Sequence, residues 1–161
     1  MVLEPPDARG SRMTLKVVPA SSSVAPIQIG RNLANANIVQ GIARHLRIPV
    51  SDPTDLHVTL MWSRVPVDWT HKAFLPRIYP IIVDSQMMKL ERFGDLAVLT
   101  FESKPLISRH KALVAAGARS DHKDFKPHIT LGPWPAHAEP QNVPLKSPIV
   151  LSGEYRKPAK V

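Results

Sequence analysis

The sequence predicts an α+β domain of two pseudo-symmetric lobes, each an antiparallel sheet with a flanking helix, and three observations carry that reading. First, His57-Val58-Thr59-Leu60 and His128-Ile129-Thr130-Leu131 repeat one pattern, in β-branched apolar surroundings that favour strands. Second, each motif follows an amphipathic helical stretch and then a polar turn of about ten residues. Third, 17 prolines in 161 residues divide the chain into short elements. Outside the motifs the halves share little sequence, so the echo is structural and not a repeat. Lobes related in this way bring the two motif strands face to face across a central groove.

In chain order, residues 1–12 read as a flexible N-terminal tail and residues 13–161 as a single two-lobed domain. Residues 13–18 and 24–29 both alternate acceptably for a first strand, and the pattern does not choose between them. Residues 30–47 read as a helix, with Leu33, Ile38, Val39, Ile42 and Leu46 at helical spacing and Pro49 beyond its end. The turn Ser51-Asp52-Pro53-Thr54-Asp55 launches the first His-x-Thr strand, and residues 66–80 are an irregular, proline-punctuated stretch. Strands are expected over 81–83 and 87–93, with Gly94-Asp95 turning into a strand over 96–101. Ser103 is a candidate N-cap for a second helix whose inward side is read as Leu106, His110, Leu113, Val114 and Gly117. The second His-x-Thr strand follows, then a proline-rich loop over 132–148 and a last strand over 149–155.

Composition narrows the function classes. No apolar run approaches the ~20 residues of a membrane span, so no membrane partner is expected. The absence of cysteine leaves no disulfide framework and no thiolate metal site, which fits a cytoplasmic setting. A formal net charge of +8 favours polyanionic ligands such as phosphates.

The chemistry lies in the two motifs. Residues i and i+2 of a strand share a face, so His57 projects with Thr59 and His128 with Thr130. Across a phosphodiester, one imidazole acts as general base and the other, protonated, as general acid. The threonine hydroxyls donate to the non-bridging oxygens as charge develops there. Such a site needs no metal or other cofactor, and the sequence holds neither a His-x-x-x-His nor a His-Glu-x-x-His pattern. Which histidine is base and which acid stays open. Arg64 and Lys126, near the motifs, are candidate phosphate contacts or solvated surface cations. Trp134 is a candidate for base stacking at the rim, or for packing. Trp62 has the wrong parity to share the His57 face and is expected in the core.

Paired His-x-Thr motifs, one in each half of a small domain, resemble the two-histidine (2H) phosphoesterase superfamily from about Leu33 to Tyr155. That group includes RNA-ligase-like proteins and cyclic phosphodiesterases. A narrower likeness rests on Leu56 to Thr59, Trp62-Ser63-Arg64-Val65, Arg109-His110, Lys126 to Leu131 and Glu154-Tyr155-Arg156-Lys157-Pro158, which together resemble the phage anti-CBASS phosphodiesterases. CBASS is a bacterial antiphage system that signals through cyclic oligonucleotides. The resemblance implies metal-independent cleavage of 3′–5′ linkages in cyclic di- and trinucleotides, by attack of a ribose 2′-hydroxyl. It implies His57, Thr59, His128 and Thr130 as the catalytic residues, with aromatic side chains holding the bases. Phe93 stands where the family has a tryptophan before the central hairpin, Lys157 where it has an acidic residue before the final proline, and Glu154 remains as a candidate substrate contact. The alternatives are a 2H phosphodiesterase acting on 2′,5′-linked oligonucleotides or 2′,3′-cyclic phosphate RNA ends, or a protein that sequesters nucleotides without cleaving them. The expected partner is a cyclic oligonucleotide or short RNA-like phosphodiester, and no protein partner is expected.

Overall fold

The computed structural model describes residues 23–122 and 124–160. Among the described residues, eight strands form one antiparallel sheet, and two α-helices pack on one of its faces. The elements are β1 (Val24–Leu33), α1 (Ala36–His45), β2 (His57–Asp68), β3 (Ile81–Val83), β4 (Met87–Phe93), β5 (Leu96–Thr100), α2 (Lys104–Ala115), β6 (His128–Pro133), β7 (Gln141–Pro144) and β8 (Ile149–Pro158).

Strand order is β3-β8-β1-β2-β6-β5-β4-β7. Counted outward from the β2–β6 seam, the halves mirror each other: β2, β1, β8, β3 on one side and β6, β5, β4, β7 on the other. The units β1-α1-β2 and β5-α2-β6 are therefore equivalent, which is the two-lobed α+β architecture the sequence predicts. The lobes meet edge to edge within one sheet, so the two motif strands lie side by side.

The apolar residues opposite the motif face build the core. Ile27, Ile29, Val58, Leu60, Leu99, Ile129, Leu131 and Leu151 are all essentially inaccessible, and Val39 and Ala43 of α1 with Leu106 and Leu113 of α2 cover them. Burial of this one face leaves the His-Thr face open.

Several elements differ from the sequence reading. The 24–29 candidate is the first strand of this sheet and runs on to Leu33, while the 13–18 candidate and the 1–12 tail lie outside the described residues. Helix α1 begins at Ala36 and not at Gly30, because Ile27, Ile29, Arg31 and Leu33 alternate inward as a strand. Strand β2 continues through Pro66 to Asp68; that proline falls at the register shift between the Ala25 and Ile27 pairings, where no ladder N–H is required. The 132–148 stretch contains the short edge strand β7, and β8 runs on to Pro158. Ser103 caps α2, its hydroxyl accepting from the Leu106 N–H at 3.4 Å. On that helix Val114 is exposed and Arg109 takes the inward position.

Candidate active site

The seam sets the geometry. Val58 of β2 pairs with Ile129 of β6. Extending this antiparallel register by one residue each way sets His57 opposite Thr130 and Thr59 opposite His128. All four side chains leave the same face, since Val58 and Ile129 are buried on the other. Each histidine is thus flanked along its own strand and across the seam by a threonine.

The two imidazoles are held alike. His57 Nδ1 lies 2.7 Å from the Asp55 carbonyl, and His128 Nδ1 lies 2.9 Å from the Lys126 carbonyl. A carbonyl oxygen only accepts, so each Nδ1 carries the proton and each Nε2 is left with its lone pair toward the open face. That is the nitrogen needed to take or give a proton. The Asp55 carboxylate also stands 3.6 Å from His57 Nδ1. The turn ahead of His57 is pinned by Asp52, whose carboxylate accepts from the Thr54 N–H at 3.0 Å and the Thr54 hydroxyl at 2.6 Å.

An aromatic ring stands edge-on beside each histidine. Phe93 of β4 lies 5.1 Å from the His128 ring, and Tyr155 of β8 lies 6.4 Å from the His57 ring, centre to centre. Strands β4 and β8 occupy equivalent places in the two halves, so the pair obeys the same pseudo-symmetry.

The other candidates separate on inspection. The Lys126 ammonium pairs with Glu91 at 2.8 Å, and Glu91 also accepts from the Thr100 hydroxyl. The Lys126 and Thr100 hydrogen bonds hold the Glu91 carboxyl below its ordinary pKa. Thr100 is the β5 partner of His128, so this charge network lies directly against the His128 half of the site. Arg64 is five residues along β2 from Thr59, about 16 Å of strand; it pairs with Asp121 at 3.1 Å and stacks over Trp62 at 5.1 Å. Arg64 is thus too far along the strand to meet a phosphate held by the histidines. Trp62 is half-buried beneath that guanidinium and does not enter the core. Trp134 is partly buried and packs against the core cluster just beyond the end of β6.

Glu154 is corrected outright. Its side chain is 0% exposed and sits on the core side, where it accepts from Arg109 Nε at 2.8 Å, Arg109 Nη2 at 3.0 Å and the Arg77 N–H at 3.1 Å. Arg31 approaches within 3.8 Å. A carboxylate so enclosed has no surface to offer a ligand. The β1–β8 register shifts between Arg31 and Leu33, so Leu151 and Glu154, three residues apart, both face inward.

Tyr155 is the residue at the site that pattern reasoning passed over. Its signal was Gly30: a glycine inside a strand marks a close approach by another group. Among the described residues, no group of three or more His, Asp or Glu side chains is arranged to hold a metal ion, and no helix is long and apolar enough to cross a membrane.

Residues 27–161 match the family model described as anti-CBASS protein Acb1. The chain is 28% identical over 134 residues to the anti-CBASS protein Acb1 of Salmonella phage S16, covering 76% of this chain and 80% of that protein. It is 32% identical over 132 residues to the protein of that name in Enterobacteria phage T4, with the same coverage of 76% and 80%. Among solved structures, E. coli LigT complexed with 3′-AMP superposes with a TM-score of 0.55 at 18% identity, over 83% of this chain and 86% of LigT. A crystal structure of a phosphoesterase gives a TM-score of 0.52 at 14% identity, over 86% of this chain and 99% of that one. The chain belongs to the anti-CBASS protein Acb1 family and shares the fold of LigT.

Proposed function

We propose that the chain is a metal-independent phosphodiesterase that cleaves 3′–5′ linkages of cyclic di- or trinucleotide messengers by attack of the adjacent ribose 2′-hydroxyl, and so counters CBASS signalling in a phage-infected cell. The observation that carries this reading is the seam, with two imidazoles whose Nε2 lone pairs look onto one open face and a threonine beside each.

A phosphodiester bound over the Val58–Ile129 pair has one histidine near the attacking hydroxyl and the other near the leaving oxygen. The first removes a proton and the second supplies one, which is in-line displacement by general base and general acid. Thr59 and Thr130 donate to the non-bridging oxygens, whose charge grows in the transition state. Attack from within the substrate removes the need to recruit and orient a water. Phe93 supports the reading from the His128 side, where its ring offers a face for a base. LigT, of like fold, has been crystallised with 3′-AMP, with ATP and with phosphate, and a nucleotide is what we propose for this face too.

The test is a pair of substrates, a cyclic dinucleotide and its 2′-deoxy analogue at the reacting sugar. The reading requires the first to open and the second to stay intact. Cleavage of the deoxy analogue at the normal rate would rule out internal attack. If neither is cut, linear 2′,5′-linked oligonucleotides and 2′,3′-cyclic phosphate ends are the next substrates to try, and binding without cleavage of any of them would mark a sequestering protein.

A further inference from the structure

Gly30 of β1 lies between Thr59 of β2 and Tyr155 of β8 in the sheet. A Cβ at Gly30 would come within 2.5 Å of the Tyr155 hydroxyl oxygen, 2.8 Å of its Cζ and 2.8 Å of the Val58 carbonyl. The phenol therefore lies flat across the bare backbone of β1 and carries its hydroxyl from β8 toward β2. Strands are about 4.8 Å apart, so a ring lying over Gly30 crosses the one strand that separates Tyr155 from the His57–Thr59 pair.

The surroundings leave that hydroxyl a proton to give. Gln28, on the same face of β1, lies beside the phenol oxygen. Burial, with the Asp55 carboxylate nearby, raises the Tyr155 pKa above its ordinary value, so the group stays protonated at neutral pH. Lys157, two residues on along the same face of β8, holds its ammonium 5.6 Å from the ring centre and forms no ion pair among the described residues. The equivalent ring in the other half is Phe93, which has no hydroxyl.

We propose that Tyr155 is a further substrate-contacting residue of this site: its hydroxyl donates to a non-bridging phosphoryl oxygen beside Thr59, with the Lys157 ammonium adding positive charge behind it. The donor is one-sided, so the phosphoryl group is drawn toward the His57 half of the seam. This rests on the phosphodiesterase reading, and the experiment separates the two.

Tyr155→Phe keeps the ring and removes the donor. Two measurements are made on wild type and variant: inorganic phosphate affinity by ³¹P NMR titration, and turnover of 3′,3′-cyclic GMP–AMP. The expected result is several-fold weaker phosphate binding and about a 10- to 100-fold fall in kcat/KM, with an unchanged Tm. Equal phosphate affinity in the two proteins would overturn the assignment, as would equal turnover where the wild type cleaves the substrate. A loss that comes with a lowered Tm and is matched by Gln28→Ala would overturn it too, because the hydroxyl would then be structural. If wild type cleaves nothing while Tyr155→Phe still weakens phosphate binding, the assignment of Tyr155 stands and the cleavage reading falls.

Discussion

Replacing Glu154 by Gln separates a buried structural ion from a substrate contact, and the structure says which it is. The carboxylate takes two hydrogen bonds from the Arg109 guanidinium, at 2.8 and 3.0 Å, and one from the Arg77 N–H at 3.1 Å, with Arg31 at 3.8 Å. Glutamine retains an oxygen for one of these donors. Its NH2 group then faces a donor, and two buried arginines lose their only carboxylate among the described residues. Breaking a buried pair by removing one partner costs about 3–5 kcal/mol, because the remaining charge is left uncompensated in low dielectric. The network is already under some tension, since Arg31 Nε and Arg109 Nη1 are buried without a hydrogen-bond partner and burial pulls the Arg31 pKa down.

The loss is also placed where it counts. Arg109 comes from α2, in the half that carries His128, and Glu154 from β8, in the half that carries His57. The pair thus braces the core side of a seam that is otherwise held by few backbone pairs. His110, one residue on, adds a second brace by donating to the Leu60 carbonyl at 2.7 Å while stacking on Phe125. At roughly 2–4 °C per kcal/mol for a chain of this size, Glu154→Gln lowers Tm by about 6–20 °C. Calorimetry or circular dichroism measures this directly. Below the transition the variant keeps near wild-type KM, because the carboxylate never meets the open face. A variant with wild-type Tm and a sharply raised KM would refute the reasoning and return Glu154 to the substrate.

Four further outcomes follow from the same geometry. His57→Ala and His128→Ala each reduce cleavage by at least about 10²–10⁴-fold, measured by single-turnover kinetics, and the wild-type rate against pH is bell-shaped. Thr59→Val and Thr130→Val lower kcat by roughly 10- to 100-fold with less effect on KM. Gly30→Ala drives a methyl into the Tyr155 ring and the Val58 carbonyl, lowering stability by about 1–3 kcal/mol in urea titration and depressing activity with it. Glu91, with its depressed pKa, contributes stability that is fully present above the ordinary glutamate value of about 4.3 and is lost as pH falls through the lower folded value; Glu91→Gln should therefore be less stable than wild type at pH 7 and match it near pH 2.

The sequence carried the two His-x-Thr motifs clearly because a strand's period of two puts His and Thr on one face whatever the tertiary setting. It carried the two helices and the Gly94 turn for similarly local reasons; Gly94 has φ of 60°, the left-handed region glycine tolerates. What failed was non-local. Arg31 hid the inward alternation of β1, since a charged residue reads as surface until its partner Glu154, 123 positions away in the chain, is known to be buried with it. Glu154 was a substrate candidate only through the family likeness, and its inward placing is hidden from the sequence because a register shift breaks the period of two in β8. Tyr155 could be found only once Gly30 was seen as a strand glycine, and in isolation Gly30 reads as the start of a helix. The polar, proline-bounded β7 exists only because β4 offers it an edge.

The central claim is that the two seam histidines cut a cyclic nucleotide without a metal. The most direct test incubates purified protein with 3′,3′-cyclic GMP–AMP in excess chelator, beside His57→Ala and His128→Ala, and separates the products by chromatography. The account predicts a linear product from wild type alone, at a rate the chelator does not change. Activity lost on chelation and restored by added metal, or retained by both histidine variants, would contradict it.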